Sequence, residues 1–185
     1  MPNPEVGINF LWSKVFQQIH LGLVEIQDKQ GRVPIGLSFP EYITGEKYSV
    51  LGSKYRLFAQ DEAILARFNA AKWLARLSDY VHCTGIRPVP EKLTGYAIYQ
   101  REQPKTSKER LARRYAKRDN EDYDTSVLRY SEMTYKTIAS PFIRLKSLSG
   151  DQEFCLWIKK TVVSNPLEGA YSSYGLSASA TVPEF

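Results

Sequence analysis

The chain has 185 residues, 43% of them hydrophobic and 12% aromatic, which is enough for one hydrophobic core or two small ones. No apolar run approaches the roughly 18 residues of a transmembrane helix, and no signal-peptide pattern is present, so we expect no membrane contact. Cys83 and Cys155 are isolated, so neither a disulfide framework nor a cysteine zinc site is predicted, which is consistent with a reducing cytoplasm.

In the N-terminal half, helix and strand patterns alternate. Apolar residues at helical spacing predict a helix from about Glu5 to Ile26. The strict alternation of apolar residues from Val33 to Phe39 predicts a half-buried strand, and a second strand is predicted from about Lys54 to Ala59. Asp61 is a candidate N-cap for the next helix, and a short strand is predicted near Tyr80 to Cys83.

In the C-terminal half, the pattern from Gly95 to Gln103 predicts a strand. The acidic stretch from Asp119 to Asp124 predicts an exposed loop, and Met133 to Ile138 is a helix candidate. Phe142–Leu148 and Glu153–Lys160 are strand-like runs joined by Ser-Gly-Asp-Gln, which predicts a β-hairpin.

The order of these elements predicts an α+β fold, because helices and strands alternate without long parallel runs. The two prolines between Ile86 and Pro90 indicate a boundary between two halves. We therefore expect one domain over residues 1–90 and a second over residues 91–185.

The basic charge is concentrated in one stretch, from Arg101 to Arg118. This stretch carries eight basic and two acidic residues, a net charge of +6, whereas the whole chain carries +5. Thr106 and Glu109 match a capping box, which predicts that a helix starts there. Such a basic helix suits the phosphates along a duplex groove, and the alternative is a solvated helix with a chance cationic face. The basic residues at the spacing of one helix face are Arg110, Arg113, Arg114, Lys117 and Arg118.

His20 and His82 are the candidates for acid–base chemistry, because histidine ordinarily changes its charge near neutral pH. His20 lies at the edge of an apolar helix face, where a packing or surface role is the simpler interpretation. No His/Asp cluster with ligand spacing is present, so no metal or other cofactor is predicted. RNA can be cut without a metal or other cofactor, because its 2′-hydroxyl attacks the adjacent phosphate once a base removes the proton of that hydroxyl. Candidate hydroxyl groups for aligning that attack are Ser147, Ser149 and Tyr174, although no spacing joins them to His20.

Several stretches together resemble the CRISPR-associated endoribonucleases of type I-F systems, which cut repeat RNA into guide RNAs. The resemblance extends from the first helix to the C-terminus. One departure is Glu184, which stands where the family carries an aromatic residue. The stretches are I-G-L-S-F-P from Ile35, L-G-S-K-Y-R-L from Leu51, R-E-Q from Arg101, K-E-R-L-A-R-R-Y-A-K-R from Lys108, P-F-I-R-L-K-S-L-S from Pro141 and S-Y-G-L-S from Ser173.

This resemblance implies a ferredoxin-like N-terminal half, with its first strand missing because the chain starts almost on the helix, and a second half with an arginine-rich helix. That helix is expected to dock in the major groove of the repeat's hairpin, mostly through phosphate contacts. Arg101 and Gln103 are expected to read base edges low in the stem, and Phe154 to stack on the terminal base pair. Further RNA contacts are expected from Lys105, Lys108, Arg110, Arg113, Arg114, Lys117, Arg118 and Ser149.

The same resemblance assigns the catalytic roles. His20 is expected to be the general base on the 2′-hydroxyl, Ser147 to hold that ribose, and Tyr174 to orient the imidazole. The implied products are a 2′,3′-cyclic phosphate and a 5′-hydroxyl, formed without metal. The implied partners are the CRISPR repeat hairpin RNA and the other subunits of the type I-F surveillance complex, in which the cut hairpin is retained. Two other interpretations stay open, a non-catalytic RNA-binding cap of that complex and a general basic DNA-binding protein.

Overall fold

A computed structural model describes residues 7–103, 108–131, 138–147, 150 and 152–185, and its helices and antiparallel strands confirm the α+β class. The chain forms two compact units, a larger one of Met1–Glu102 with Ala139–Phe185 and a smaller one of Gln103–Ile138. The helices are α1 (Ile8–Glu25), α2 (Glu62–Phe68), α3 (Ala70–Trp73), α4 (Lys108–Asp119) and α5 (Tyr123–Arg129). The strands are β1 (Arg32–Val33), β2 (Gly36–Ser38), β3 (Arg56–Phe58), β4 (Gly95–Glu102), β5 (Phe142–Lys146), β6 (Glu153–Val163), β7 (Tyr171–Ser172) and β8 (Val182–Glu184).

Helix α1 supplies one layer of the core of the larger unit. It confirms the first predicted helix, since its apolar residues recur at helical spacing and form one buried face that packs on β5. His20 lies at the edge of that face and is half-buried, as its position in the pattern predicts. The buried face consists of Trp12, Val15, Phe16, Ile19, Gly22 and Leu23.

A four-stranded antiparallel sheet with the order β5-β6-β4-β8 forms the other layer. Strands β5 and β6 are the predicted hairpin, and Lys146 pairs with Glu153 at its closed end. Strand β4 confirms the strand predicted from Gly95, and it lies between β6 and β8. The sheet therefore places the end of the hairpin beside α1.

The prediction of one half-buried strand from Val33 to Phe39 is wrong in two respects. The structure has two short strands there, because β1 pairs with β7 whereas β2 pairs with β3. Gly36 and Ser38, on the face predicted to be exposed, are also buried. The C-terminal segment covers that face, since any side chain at position 36 would collide with the ring of Tyr171.

Asp61 caps helix α2 as predicted, because its carboxylate accepts a hydrogen bond from the backbone N–H of Ala63 at 2.8 Å. The strand predicted from Lys54 is confirmed as β3. The strand predicted from Tyr80 to Cys83 is wrong, because this segment forms a turn followed by irregular backbone. Every residue from His82 to Lys92 is exposed, and a strand without a paired neighbour is not stable.

In the smaller unit, helix α4 packs against helix α5. The acidic stretch from Asp119 to Asp124 is exposed except at Glu121, as predicted, but the predicted loop is limited to residues 120–122. Asp119 ends α4, and the carboxylate of Asp122 caps α5 by accepting hydrogen bonds from the N–H groups of Asp124 and Thr125. Asp122 therefore satisfies free backbone donors at the start of α5.

Several expectations fall outside the described residues or stay predictions. Residues 1–6, Thr106 of the predicted capping box and residues 133–137 of the predicted helix lie outside the described part of the chain. The ferredoxin-like arrangement and a domain boundary near residue 90 stay predictions. In the ranges that the structure describes, no helix combines the length and the apolar character needed to cross a membrane.

Glu184 belongs to a largely buried polar cluster that spans the sheet. Its carboxylate accepts hydrogen bonds from the Tyr99 hydroxyl at 2.9 Å and from the Lys160 ammonium at 2.5 Å. The side chains of Lys160 and Glu184 are only 13% and 15% exposed. Burial and the Glu184 carboxylate raise the pKa of Tyr99, so its hydroxyl stays a neutral donor. The acidic residue at this position ties β8 to β4 and β6.

Candidate active site and nucleic-acid interface

His20 is held by the backbone of a turn 153 residues away in the sequence. Its Nδ1 lies 2.8 Å from the carbonyl oxygen of Ser173. Because a carbonyl oxygen only accepts hydrogen bonds, Nδ1 carries the proton in the neutral imidazole. Nε2 therefore keeps the lone pair that can accept a proton from a substrate.

Tyr174 stacks on the same imidazole, with 4.2 Å between the ring centroids and 8° between the ring planes. The turn that carries it is fixed by its own backbone, because the N–H of Gly175 donates to the carbonyl of Ser172 at 2.7 Å. The Gly175 carbonyl in turn accepts from the N–H of Leu37 at 3.1 Å. Gly175 has a φ of +68°, which residues with a side chain adopt only with strain. One rigid turn thus makes both contacts with His20.

The protonation of His20 is set by its burial. Burial lowers the pKa of His20 below its ordinary value of 6.5, and the hydrogen bond to Ser173 partly opposes this shift. The imidazole is therefore neutral at neutral pH. A neutral imidazole is the form that can remove a proton, so the environment favours a base.

His20 lines a cleft of about 180 Å³ in the larger unit. The cleft walls come from α1, from the β5–β6 hairpin and from the turn after β7, so residues that are far apart in sequence meet there. Four predicted site residues meet in it: His20, Ser147, Phe154 and Tyr174. The other lining residues are Gln17, Leu145 and Lys146.

The hairpin delivers Ser147 and Phe154 to this cleft. Ser147 follows β5 directly, and its N–H donates to the carbonyl of Gln152 at 2.8 Å, so it is fixed to the opposite strand of the hairpin. Phe154 is half-buried on β6. His82 is exposed and does not line the cleft. Among the described residues, no group of three or more His, Cys, Asp or Glu side chains is placed to hold a metal ion.

Arg101 brings a positive charge to the cleft residues. Its guanidinium carbon lies 5.6 Å from the ring centre of Phe154 and 5.9 Å from that of Tyr174. Both distances are within the range of cation–π attraction. Because Arg101 is also exposed, its donors are accessible to a phosphate or a base edge.

Helix α4 of the smaller unit exposes the basic face that the sequence predicts. Arg118 is already paired, because it forms hydrogen bonds of 2.9 and 3.2 Å to the two carboxylate oxygens of Asp119. Within the described residues, Arg113, Arg114 and Lys117 make no ion pair. Their charges are therefore more available to a polyanion than the charge of Arg118. The exposed basic residues of the face are Arg110, Arg113, Arg114, Lys117 and Arg118.

The remaining predicted RNA contacts are only partly described. Gln103 is exposed directly after β4, and Lys108 is the first residue of α4. Lys105 and Ser149 lie outside the described residues. The roles of all these residues stay predictions.

Two polar groups beside His20, the Ser173 carbonyl and the Gln17 amide, were not predicted from the sequence. Ser173 acts through its backbone carbonyl, which no side-chain pattern can reveal. Gln17 lines the cleft beside His20. Helical spacing could have identified Gln17, because it precedes His20 by three residues and lies on the same side of α1.

Comparison with known proteins gives one family over the whole chain. The family model described as CRISPR-associated protein (Cas_Csy4) matches residues 1–185. The CRISPR-associated endonuclease Cas6/Csy4 of Escherichia coli (strain UTI89 / UPEC) is 32% identical over 186 residues, which cover 100% of this chain and 95% of that protein. The protein of the same name from Pseudomonas aeruginosa (strain UCBPP-PA14) is 32% identical over 185 residues, with the same coverage. The chain therefore belongs to the Cas_Csy4 family of CRISPR-associated proteins, which confirms the resemblance that the sequence motifs indicate.

Proposed function

We propose that this chain is an endoribonuclease that cuts the repeat RNA of a type I-F CRISPR system at the 3′ base of its hairpin. Two relatives that match the whole chain are named CRISPR-associated endonucleases, which supports nuclease activity. The observation that carries the proposal is the hydrogen bond between His20 Nδ1 and the Ser173 carbonyl. It makes Nε2 the basic nitrogen of an imidazole that lines a cleft.

In the proposed reaction, the substrate supplies its own nucleophile. Nε2 of His20 takes the proton of the 2′-hydroxyl, and the oxygen forms a bond to the adjacent phosphorus. The bond from phosphorus to the 5′-oxygen breaks, and that oxygen keeps the electron pair and takes a proton from water. The products are a 2′,3′-cyclic phosphate and a 5′-hydroxyl. No step requires a metal ion, because the nucleophile needs only a base and alignment.

The other predicted catalytic residues position the reacting groups. Tyr174 restricts the imidazole to one plane through the stacked contact, and this supports its proposed role in orienting the base. Ser147 lines the cleft and is fixed at the end of the hairpin, which supports its proposed role in holding the ribose. Phe154 presents a half-buried ring in the same cleft, as a stacking surface for the terminal base pair requires.

We propose RNA contacts at the end of β4 and, separately, on helix α4. Arg101 and Gln103 are exposed at the end of β4 and just after it, where we propose that they read base edges. The exposed basic face of α4 holds the phosphates of the stem, together with Lys105, Lys108 and Ser149. We further propose that the cut hairpin stays bound and that the protein acts as a subunit of the surveillance complex in the cytoplasm.

A cleavage assay with two histidine variants tests this proposal. A type I-F repeat hairpin is incubated with excess protein in EDTA, and cutting and binding are measured separately. His20→Ala is expected to abolish cutting while hairpin binding stays within a few fold. His82→Ala is the matched control, because His82 is exposed outside the cleft and its loss should change neither quantity.

The outcomes separate the candidate functions. Tight binding of an RNA that stays intact with the wild-type protein would favour the non-catalytic cap. Equal loss of binding and cutting in His20→Ala would show that His20 is structural. Strong competition by duplex DNA would favour a general DNA-binding protein, since A-form recognition should make that competition weak.

A further inference from the structure

Gln17 is a polar side chain of the cleft to which the proposed reaction assigns no role. It lies on α1 three residues before His20, and both side chains line the same cleft. Gln17 is half-buried. In the part of the chain that the structure describes, its amide makes no hydrogen bond, although the amide carries two donors and an acceptor. An amide in that position is ready to bind a group of the substrate.

The chemistry of phosphoryl transfer defines which group this would be. When the 2′-oxygen attacks, negative charge builds up on the two non-bridging oxygens of the phosphate. Neutral N–H donors placed at such oxygens stabilise the transition state more than the ground state. A glutamine amide suits this task because it stays a donor at every pH in the working range.

The alternative donor in the cleft is less well placed. Lys146 also lines the cleft. On β5, however, it is one of the exposed residues, which alternate with the buried Ile143 and Leu145. Its side chain therefore starts on the face of the strand opposite to the core. Gln17, by contrast, lies on the same side of α1 as the proposed base, His20.

We propose that Gln17 is a further catalytic residue, whose side-chain amide donates a hydrogen bond to a non-bridging oxygen of the scissile phosphate. The inference rests on the proposed function. The proton moves from the 2′-hydroxyl to His20 Nε2 and a proton from water reaches the 5′-oxygen, while Gln17 neither gives up nor takes a proton. Its contribution is to hold the phosphate in line and to stabilise its charge.

Phosphorothioate substrates test this role directly. Two hairpins are made, each with sulfur in place of one non-bridging oxygen at the cut, and single-turnover rates are measured. Sulfur accepts hydrogen bonds poorly, so one of the two diastereomers should be cut slowly by the wild-type protein. In Gln17→Ala and Gln17→Met, the rate on the all-oxygen hairpin should fall about 100-fold, as for loss of one oxyanion donor. The difference between the two diastereomers should disappear.

Controls make the result specific. Gln17→Met keeps the size of the side chain and removes only the donor, so a cavity does not explain its effect. Gln18→Ala is the matched control, because Gln18 is its half-buried neighbour on α1 but does not line the cleft. Hairpin binding by all three variants should stay within a few fold. An unchanged diastereomer difference in the Gln17 variants would overturn this role alone, whereas no cutting by the wild-type protein would overturn the proposed function as well.

Discussion

The ring of Tyr174 lies flat against the imidazole of His20, with 4.2 Å between centroids and 8° between planes. The stacked ring covers one face of the imidazole, while the carbonyl of Ser173 holds Nδ1 at 2.8 Å. Both constraints come from one turn near the C-terminus, and the imidazole comes from the first helix. The direction of Nε2 is therefore set by the fold rather than by local sequence.

The pH dependence of cutting should show a general base whose pKa is lowered. Because burial lowers the pKa of His20 below 6.5, the base is neutral at pH values where an exposed histidine is still protonated. The single-turnover rate should rise with pH and level off, with its midpoint below pH 6.5. By linkage, the unfolded chain binds this proton more tightly than the folded chain. The unfolding free energy should thus fall as the pH drops below 6.5.

A variant that opens the stack provides the control for this assignment. Tyr174→Ala exposes the imidazole, so its pKa should return toward 6.5 and the midpoint of the rate profile should move upward. The plateau rate should also fall, because the imidazole of His20 is less well oriented without the stacked ring. A midpoint that is the same in both proteins would mean that another group limits the rate at low pH.

Gly175→Ala should disrupt the turn that holds His20. Its φ of +68° is strained for alanine, and the new methyl group would lie 2.8 Å from a methyl carbon of Leu37. The turn must move, and a shift of about 1 Å in a catalytic group can lower a rate about 100-fold. We expect a comparable loss in the single-turnover rate, with hairpin binding retained.

Gly31→Ala is the matched control for this prediction. Gly31 also has a positive φ, +74°, but a methyl group there would meet no neighbouring atom within 4 Å. The substitution should therefore cost stability, about 1–2 kcal/mol from backbone strain, without changing the cutting rate. Equal rate losses in the two glycine variants would show that the Ser172–Gly175 turn has no special role.

The basic face of α4 should bind RNA unevenly. Arg113 makes no ion pair within the described residues, whereas Arg118 is held by two hydrogen bonds to Asp119. Arg113→Ala should lower the slope of log affinity against log salt by about 1, as expected for one lost phosphate contact. Arg118→Ala should lower it less. Arg67→Ala removes an exposed arginine from α2 and should leave the slope unchanged.

Glu184→Ala should destabilise the larger unit. The substitution leaves the largely buried ammonium of Lys160 without its partner, and breaking such a pair costs up to about 3–5 kcal/mol. Chemical denaturation measures the loss. Lys54→Ala breaks the exposed pair with Glu41, where the lysine side chain is 72% exposed, and should leave the unfolding free energy nearly unchanged. Similar losses in both variants would contradict the role of burial.

The elements that could be predicted from sequence are those whose signal is local. Helix α1 and the β5–β6 hairpin have regular apolar spacing, and Asp61 is a direct N-cap signal. The wrong predictions concern strands whose formation depends on pairing with segments that are distant in the sequence. The strand predicted from Val33 to Phe39 is divided between two partner strands, and the segment from Tyr80 to Cys83 pairs with no strand among the described residues.

The same distinction applies to the candidate site. His20 and Tyr174 could be named from a resemblance, but their stacking joins the first helix to a turn near the C-terminus, and no spacing encodes it. The Ser173 contact uses a backbone oxygen, which any residue type supplies. Gln17 is the exception, because the three-residue spacing to His20 is visible in the sequence.

The most direct test of the central claim is an end-mapped cleavage assay in which one 2′-oxygen is removed from the RNA. A repeat hairpin is compared with a copy that carries a single 2′-deoxy nucleotide just upstream of the cut, both with excess protein in EDTA. If His20 activates the 2′-hydroxyl, only the first RNA is cut, and the upstream product ends in a cyclic phosphate. Cutting of the 2′-deoxy hairpin at the same position would contradict the account, because the attacking oxygen would then have to come from water.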